Sequence, residues 1–312
     1  MTLSLNLFPQ PMAILATAIG LGDPSDAEIL GRYPAIIAAG AVLLSLGLIC
    51  DLYLLFRLTK SLGVRELAAD ESLLKIEPKP WGVDDLLFTI GALVIVWVII
   101  EGAVLGAFKL AHMDQENALP WLLLVEMLLR VAVLFGFVAF FRRRGLDWQQ
   151  AIGLRRKPPL HAIGFGGMFF LAVLPPLAVV FPVCAKLCRV FGIKDTPQDV
   201  VDMLANSDST LVVVVIVAFA ITIAPVFEEF LFRGFAYPAL KQRWGTWRAL
   251  TLVSAAFAAI HLHVPSLGPL FALAIGLGLS YEFTGSLLAP ITMHALFNAT
   301  NVGMLLYIRS HS

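Results

Sequence analysis

Long apolar stretches separated by short polar connections make up most of this chain. Since a helix that crosses a membrane needs about 20 mostly apolar residues, the clearest spanning candidates are residues 33–56, 86–108, 119–141 and 160–184. Further apolar stretches follow at residues 210–227, 249–261, 267–283 and 287–308. The pattern predicts an all-α fold, a polytopic transmembrane helix bundle of about eight spanning helices.

Composition supports a membrane protein and excludes other classes. Hydrophobic residues make up 59% of the 312-residue chain and charged residues 14%, whereas about a quarter of the residues in soluble domains are charged. The formal net charge is +0, so the overall balance favours neither nucleic acid nor an acidic partner. We therefore expect membrane lipids around the protein, a location in the cell membrane, and no nucleic-acid partner.

Basic residues indicate how the bundle is oriented. They crowd the connection after the third predicted span, whereas Lys109 is the only Lys or Arg in the connection after the second. By the positive-inside rule, the arginine-rich connection should be cytoplasmic and both termini should be outside. The residues assigned to the cytoplasmic side are Arg57, Lys60, Arg65, Arg142, Arg143, Arg144, Arg155, Arg156, Lys157, Lys241, Arg243 and Arg248.

The candidate chemistry divides the chain into two parts. Residues 1–209 contain N-terminal membrane helices and loops, and residues 210–308 contain the polar residues discussed below, all within one integrated membrane domain. The opening apolar stretch, residues 3–21, has no preceding basic residue and contains Pro9 and Pro11. We interpret it as an interfacial helix instead of a signal peptide, with an additional span as the alternative.

Two adjacent acids and an arginine interrupt the apolar region that begins at Thr210. Because charges inside a membrane helix are costly unless they are paired or used, Glu228, Glu229 and Arg233 are candidates for chemistry. On a helix, Glu229 and Arg233 share a face and can form an ion pair, whereas Glu228 points about 100° away. We therefore predict that Arg233 holds Glu229 and that Glu228 is left free.

Two further apolar segments contribute His261, and His294 with Asn298. The four-residue spacing places His294 and Asn298 on one helix face. If the three helix faces converge, Glu228 and His261 could position and deprotonate a water, while His294 and Asn298 donate hydrogen bonds to the oxyanion of a tetrahedral intermediate. These groups form a complete set for peptide hydrolysis.

The order and spacing of these motifs resemble the CPBP family of intramembrane proteases, which includes the CAAX prenyl endopeptidases. The matching motifs are Glu-Glu-x-x-x-Arg at positions 228–233, Phe-x-x-x-His ending at His261, and His-x-x-x-Asn at positions 294–298. The flanks at positions 232–234 and 276–294 agree, so the resemblance covers roughly residues 210–305. Residues 1–200 add only compatible hydropathy.

The resemblance implies a fold, an activity and residue roles. It implies an eight-helix bundle with the site in a cavity between helices, and cleavage of prenylated CAAX proteins or other membrane-associated peptides. Glu228 and His261 would activate water, His294 and Asn298 would form the oxyanion site, and Glu229 with Arg233 would be structural or supporting. The motif does not specify the substrate, and the sequence does not indicate an oligomeric state.

A metal is an open alternative for the same residues. Glu228, His261 and His294 would make an acceptable zinc set, because two histidines and a carboxylate leave a fourth position for water. We favour a metal-free glutamate mechanism with no cofactor, since the resemblance implies an oxyanion role for His294 and Asn298.

Other intramembrane protease chemistries find no support in the sequence. There is no His-Glu-x-x-His motif of a site-two type metalloprotease and no Gly-x-Ser-Gly of a rhomboid type. Residues 20–23 spell Gly-x-Gly-Asp, but an aspartyl mechanism needs a second acid in the same site. The alternative from another class is a noncatalytic scaffold or a small transporter whose cavity the same polar residues line.

Two further expectations bear on the geometry. Glu126 and Arg130, also four residues apart in an apolar stretch, are interpreted as a structural pair. If helices simply alternate, Glu228 and His261 would lie at different depths. We therefore predict a segment between Phe235 and Arg248 that dips partly back into the membrane.

Overall fold

The structure is a computed structural model that describes residues 34–61, 76, 79–112, 115–154, 158–193 and 199–311. The predicted interfacial helix at residues 3–21 and the Gly-x-Gly-Asp sequence at residues 20–23 lie outside these ranges. Helices make up the bundle, and the described residues contain no strand. The all-α fold class predicted from the sequence is confirmed.

The helices follow in chain order. They are α1 (Pro34–Ser61), α2 (Val83–Leu110), α3 (Gln115–Arg143), α4 (Trp148–Ala151), α5 (Pro159–Val190), α6 (Asp199–Asn206), α7 (Thr210–Trp244), α8 (Thr246–Ala259), α9 (Leu267–Thr284) and α10 (Leu288–His311). A short 3₁₀ turn, Val264–Ser266, precedes α9.

Six helices are long and apolar enough to cross a membrane, counted over the described ranges. They are α1, α2, α3, α5, α7, and α9 together with its preceding 3₁₀ turn. The other two predicted spans correspond to α8, which has only 14 residues, and to α10, which has 24 residues but is less apolar. The predicted count of about eight spans is therefore not confirmed.

The helix α7 is longer than the sequence suggested. The expected span ended at Phe227, but the helix continues without a break to Trp244. Two π-helical segments, Phe219–Ile223 and Phe230–Ala236, lie on either side of a short α-helical stretch, Ala224–Glu229. Segments of this kind are rare and are frequently found at functional sites.

The helices α7 and α8 form a hairpin that turns at Gly245. Its backbone has φ 76° and ψ 172°, a conformation open to glycine and strained for other residues. The rings of Phe232 and Phe257, one on each arm, have centroids 5.3 Å apart. Because Glu228 and His261 are nearly equidistant in sequence from Gly245, the hairpin brings them to a similar level. The segment predicted to dip back into the membrane, between Phe235 and Arg248, contains the turn of this hairpin.

The long helix α5 packs against α1, α9 and α10. Gly166 brings α5 close to α10, since a Cβ atom there would lie 2.5 Å from the carbonyl oxygen of Ala289. The outer helices are exposed by contrast, and α2 shows no buried residues over its most apolar window. Large apolar side chains such as Phe88, 79% exposed, therefore cover an outer surface suited to lipid.

Basic residues gather at one end of the bundle. Arg144, just beyond α3, pairs with Asp85 at the start of α2. At the end of α7, Gln242 donates hydrogen bonds to the carbonyl oxygens of Lys79 and Trp81. Two of the segments assigned to the cytoplasmic side from their charge, those ending α3 and α7, thus both contact residues 79–85.

Candidate active site

Glu229 and Arg233 of α7 form a fully buried ion pair. The Arg233 Nη1 atom donates to Glu229 Oε1 at 2.8 Å, and the two side chains are 1% and 0% exposed. Arg233 Nη2 donates to the Ala274 carbonyl oxygen at 2.9 Å, and the guanidinium carbon lies 4.8 Å from the ring centre of Phe257. A buried charge must be paired and hydrogen-bonded to persist, and the predicted pair satisfies this requirement.

His294 of α10 lies between the two glutamates. Its Nδ1 atom is 2.8 Å from Glu229 Oε1, and its Nε2 atom is 3.8 Å from Glu228 Oε2. Since a carboxylate only accepts, Nδ1 carries the hydrogen of this bond. In the neutral ring Nε2 is then an acceptor, and in the protonated ring it is a second donor. Glu229 therefore fixes the orientation of His294 as well as pairing with Arg233.

Glu228 is largely buried but does not take part in the pair with Arg233. Its side chain is 16% exposed, and its Oε2 atom is buried without a hydrogen-bond partner. The 3.8 Å separation from His294 Nε2 is longer than a hydrogen bond but allows one oxygen atom to lie within hydrogen-bond distance of both groups. This is the geometry that a carboxylate base needs toward a substrate water.

His261 lies just past the end of α8 and reaches the site through Phe257. Its Nδ1 atom is 2.8 Å from the Phe257 carbonyl oxygen, so Nδ1 donates and Nε2 is an acceptor in the neutral ring. The Phe257 ring lies 5.0 Å from the His261 ring and 5.7 Å from the His294 ring, centre to centre. Within the described residues 199–311, no hydrogen bond or ion pair joins His261 to Glu228.

Asn298 binds the first π-helical segment of α7. Its Nδ2 atom donates to the Ala220 carbonyl oxygen at 2.8 Å. A π-helical turn disturbs the regular pattern of backbone hydrogen bonds, and Asn298 satisfies one of its carbonyls. Because an amide nitrogen has two hydrogens, Asn298 keeps one donor for another acceptor. This hydrogen bond was not predicted from the sequence, which indicates only that Asn298 and His294 share a helix face.

The alternative zinc set is not assembled in this arrangement. Within the described ranges, no group of three His, Cys, Asp or Glu side chains lies close enough together to hold a metal ion. His294 Nδ1 is engaged by Glu229, and His261 approaches only the aromatic neighbour of His294. These donors do not fit a zinc ion as they stand, so no step is derived through one.

A second buried acid was missed by the sequence reasoning. Glu282 of α9 is 1% exposed and accepts from Lys241 Nζ at 2.6 Å. It also accepts from the Tyr237 hydroxyl and, at 3.4 Å, from the backbone N–H of Ile76. The sequence contains an indication of this site, because a single acid within an apolar stretch is as costly to bury as Glu228. Two of its partners, Tyr237 and Lys241, belong to the hairpin end of α7.

The fold and the site define an integral-membrane helix bundle with a buried acid and histidine centre. Residues 210–300 match the family model described as type II CAAX prenyl endopeptidase Rce1-like, and this region includes every site residue above. The resemblance inferred from the motifs is confirmed for this region, which covers less than a third of the chain. Within residues 210–300, the chain is therefore similar to membrane endopeptidases of the CAAX type. No curated protein and no solved structure matches the chain.

Proposed function

We propose that this protein hydrolyses peptide bonds of membrane-associated peptides, prenylated CAAX sequences among them, with water activated by Glu228 and His261. The observation that carries the proposal is the placement of His294 between two glutamates, one held by Arg233 and one outside that pair. An ionisable group inside a membrane bundle is expected to serve function, and here several act on one another. The cell membrane is the proposed location.

In this mechanism Glu228 is the general base. It removes a proton from water with the help of His261, and the water oxygen attacks the carbonyl carbon of the scissile peptide bond. The carbonyl oxygen becomes an oxyanion that accepts hydrogen bonds from protonated His294, through Nε2, and from the second amide hydrogen of Asn298. Glu228 then returns the proton to the leaving nitrogen as the C–N bond breaks.

Glu229 and Arg233 act as positioning residues in this scheme. Neither needs to contact the peptide, because Glu229 acts through His294 Nδ1 and Arg233 acts through Glu229. The same arrangement keeps the reacting groups in a low-dielectric setting, where oriented hydrogen bonds have the largest effect on a developing charge.

The test compares purified wild-type protein with Glu228→Gln and His261→Ala on peptides with and without a prenyl group. We expect each substitution to lower kcat/KM by about 10²- to 10⁴-fold, the usual contribution of a general acid or base. The matched control is His263→Ala, because His263 lies two residues from His261 and its Nδ1 is 2.7 Å from Ser266 Oγ. His263→Ala should stay close to wild type.

Each assay is repeated with a strong zinc chelator, which should leave cleavage unchanged. Loss of cleavage on chelation would replace the proposed base mechanism with a metal mechanism. Equal cleavage by wild type, Glu228→Gln and His261→Ala would remove both residues from the chemistry. No cleavage of any peptide by wild-type protein would favour the scaffold or transporter alternative.

A further inference from the structure

The second π-helical segment of α7, Phe230–Ala236, contains the buried Arg233 of the ion pair. At the end of this segment, the backbone N–H of Tyr237 donates to the Phe232 carbonyl oxygen, five residues earlier. The next residue, Pro238, has no N–H to donate. The helix therefore lacks one backbone donor where the π-helical pattern returns to the α-helical one, and its register there depends on contacts from outside α7.

Trp81, which precedes α2, supplies such a contact. Its indole Nε1 atom donates to the Phe235 carbonyl oxygen at 3.0 Å, and the residue is 2% exposed. The Trp81 ring also stacks on the Phe235 ring, with centroids 5.8 Å apart and an interplanar angle of 14°. On its other side, the indole lies 5.0 Å from the ring centre of Phe141 on α3. Trp81 thus holds both the backbone and the side chain of one residue in the π-helical segment.

The first π-helical segment of α7 is held from outside in a similar way. Asn298 donates to the Ala220 carbonyl oxygen, and the ring centre of Phe219 lies 4.9 Å from the guanidinium carbon of Arg130. Arg130 itself forms the ion pair with Glu126 that was predicted from their spacing. In both segments, a backbone carbonyl accepts from another element and an aromatic side chain is stacked. Contacts with neighbouring elements therefore accompany each departure from the regular helix.

The backbone around Trp81 is itself anchored to the bundle. Gln242, near the end of α7, donates to the Lys79 carbonyl oxygen at 3.0 Å and to the Trp81 carbonyl oxygen at 3.1 Å. Arg144 Nη1 donates to the Pro80 carbonyl oxygen at 3.0 Å. Three consecutive carbonyls are thus bound by side chains of other elements, and the indole is presented to α7 from a fixed position.

The contact with Phe235 is connected to the proposed active site through Arg233, two residues earlier. Arg233 donates to Glu229 and to the Ala274 carbonyl oxygen, and Glu229 accepts from His294 Nδ1. A slip of one residue turns a side chain by about 100° around the helix. Such a slip in the π-helical segment would move Arg233 away from both acceptors and leave the carboxylate that orients His294 without its cation.

We propose that Trp81 is a positioning residue of the active site, whose indole N–H fixes the register of the second π-helical segment and thereby the direction of Arg233. This inference rests on the proposed function and adds a control of the site from a chain segment outside residues 210–300. Trp81 acts through Phe235 and Arg233, and not on the peptide.

Amide hydrogen exchange along α7, followed by mass spectrometry in detergent, tests the inference without a substrate. Trp81→Phe keeps an aromatic ring and removes the N–H donor. Exchange over residues 230–237 should become about two- to tenfold faster, the usual effect of one neutral hydrogen bond on local opening. The matched control is Trp148→Phe, because Trp148 packs against the same apolar cluster from α4, and exchange over residues 230–237 should stay as in wild type.

Cleavage separates a positioning role from a general contribution to stability. Trp81→Phe should lower kcat about two- to tenfold and leave KM unchanged, since the indole orients the site and does not bind the peptide. Trp148→Phe should keep both values. If Trp81 only stabilises the bundle, exchange in Trp81→Phe should become faster along all helices alike, and this result would overturn the proposal.

Gln242→Leu provides a second variant in case Trp81→Phe does not fold. It removes the hydrogen bonds to the Lys79 and Trp81 carbonyls and leaves the indole intact. Faster exchange over residues 230–237, with the other helices unchanged, would support the proposal. Exchange equal to that of wild type in this segment would overturn it.

Because exchange is measured on the protein alone, the inference and the proposed function can fail separately. Faster exchange over residues 230–237 in Trp81→Phe, combined with no cleavage of any peptide by wild-type protein, would support the control by Trp81 and contradict the protease activity. Unchanged exchange in Trp81→Phe, combined with cleavage that is lost in Glu228→Gln, would contradict the role of Trp81 alone.

Discussion

Glu229 shows how a single buried oxygen atom can serve two partners. Its Oε1 atom accepts from Arg233 and from His294, both at 2.8 Å. The pairing with Arg233 compensates the charge, and the bond to His294 sets the direction in which Nε2 points. In the proposed mechanism, stability and catalysis thus depend on the same carboxylate through different neighbours, and substitutions can separate the two contributions.

The prediction at this position compares Glu229→Leu with the double variant Glu229→Leu, Arg233→Met. The single change leaves a buried guanidinium without its partner, at a cost of about 3–5 kcal/mol, so the denaturation temperature in detergent should fall clearly. The double variant should recover much of that loss because it removes both charges. Cleavage should stay low in both, since His294 has lost the acceptor for Nδ1.

Recovered activity in the double variant would contradict the positioning role of Glu229. Unrecovered stability in the double variant would show that Arg233 matters mainly through its bond to the Ala274 carbonyl. Both outcomes are tested by measuring the denaturation temperature and the cleavage rate of the same protein samples.

The sequence predicted contacts within one helix and not those between helices. The Glu229 and Arg233 pair follows from their spacing alone, and the structure contains it. The bond from His294 to Glu229 needs the relative rotation of α7 and α10, which no local pattern specifies. Glu282 was missed because no recognisable motif surrounds it, although its burial in an apolar helix is an equally strong physical signal.

At the scale of elements, the contact between α5 and α10 holds the helix that carries His294 and Asn298. Gly166 allows this contact, with the Ala289 carbonyl oxygen 2.5 Å and Thr292 Cβ 2.7 Å from where a Cβ would be. A methyl group cannot fit there unless the two helix backbones separate. The adjacent Gly167 has only ordinary space around it, with Leu296 Cδ1 at 3.9 Å.

The prediction for this contact compares Gly166→Ala with Gly167→Ala. The first should lower stability by about 1–3 kcal/mol, as overpacking usually does, and should reduce cleavage because α10 moves. The second should be neutral or slightly stabilising, since alanine favours helix over glycine by about 1 kcal/mol. Thermal denaturation and cleavage of one peptide measure both effects, and equal behaviour of the two variants would contradict the close packing.

The internal structure of α7 explains why its length and register were not predicted. A sequence reading assumes 3.6 residues per turn, and the π-helical segments at Phe219–Ile223 and Phe230–Ala236 depart from that period. The basic residues at Lys241 and Arg243 suggested a loop, but they belong to the last turns of the helix. Tertiary contacts on the buried surface of α7, such as the Tyr237 bond to Glu282, stabilise helix where composition alone does not.

At the scale of the whole molecule, the basic end of the bundle should face the cytoplasm. A test replaces Cys50, Cys184 and Cys188 by Ala and then introduces single cysteines in sealed vesicles. Arg143→Cys and Arg243→Cys should react with a membrane-impermeant thiol reagent from the same side, because both belong to the basic end. Ser310→Cys, near the end of α10, should react from the other side, and labelling of all three from one side would contradict this orientation.

The class of membrane helix bundle was predictable, because a bilayer requires long apolar stretches. The number of spans was not predictable in the same way. Hydropathy located the outer helices α2 and α3 to within four residues at each end. By contrast, α8 is too short to span by itself, and it lies beside a helix of 35 residues. Hydropathy measures how well a helix is suited to lipid. A helix packed among other helices has less contact with lipid, so its hydropathy can be lower.

The hairpin at Gly245 has a consequence for variation in chain length among proteins built this way. Adding one residue to either arm moves every later position on that arm by about 1.5 Å and turns it by about 100°. A lone insertion or deletion between Glu228 and His261 therefore changes the level of one residue relative to the other, and a matching change in the opposite arm restores it. Natural sequences with this site should hold the spacing between the two residues constant while the loops outside α7 and α8 vary freely in length.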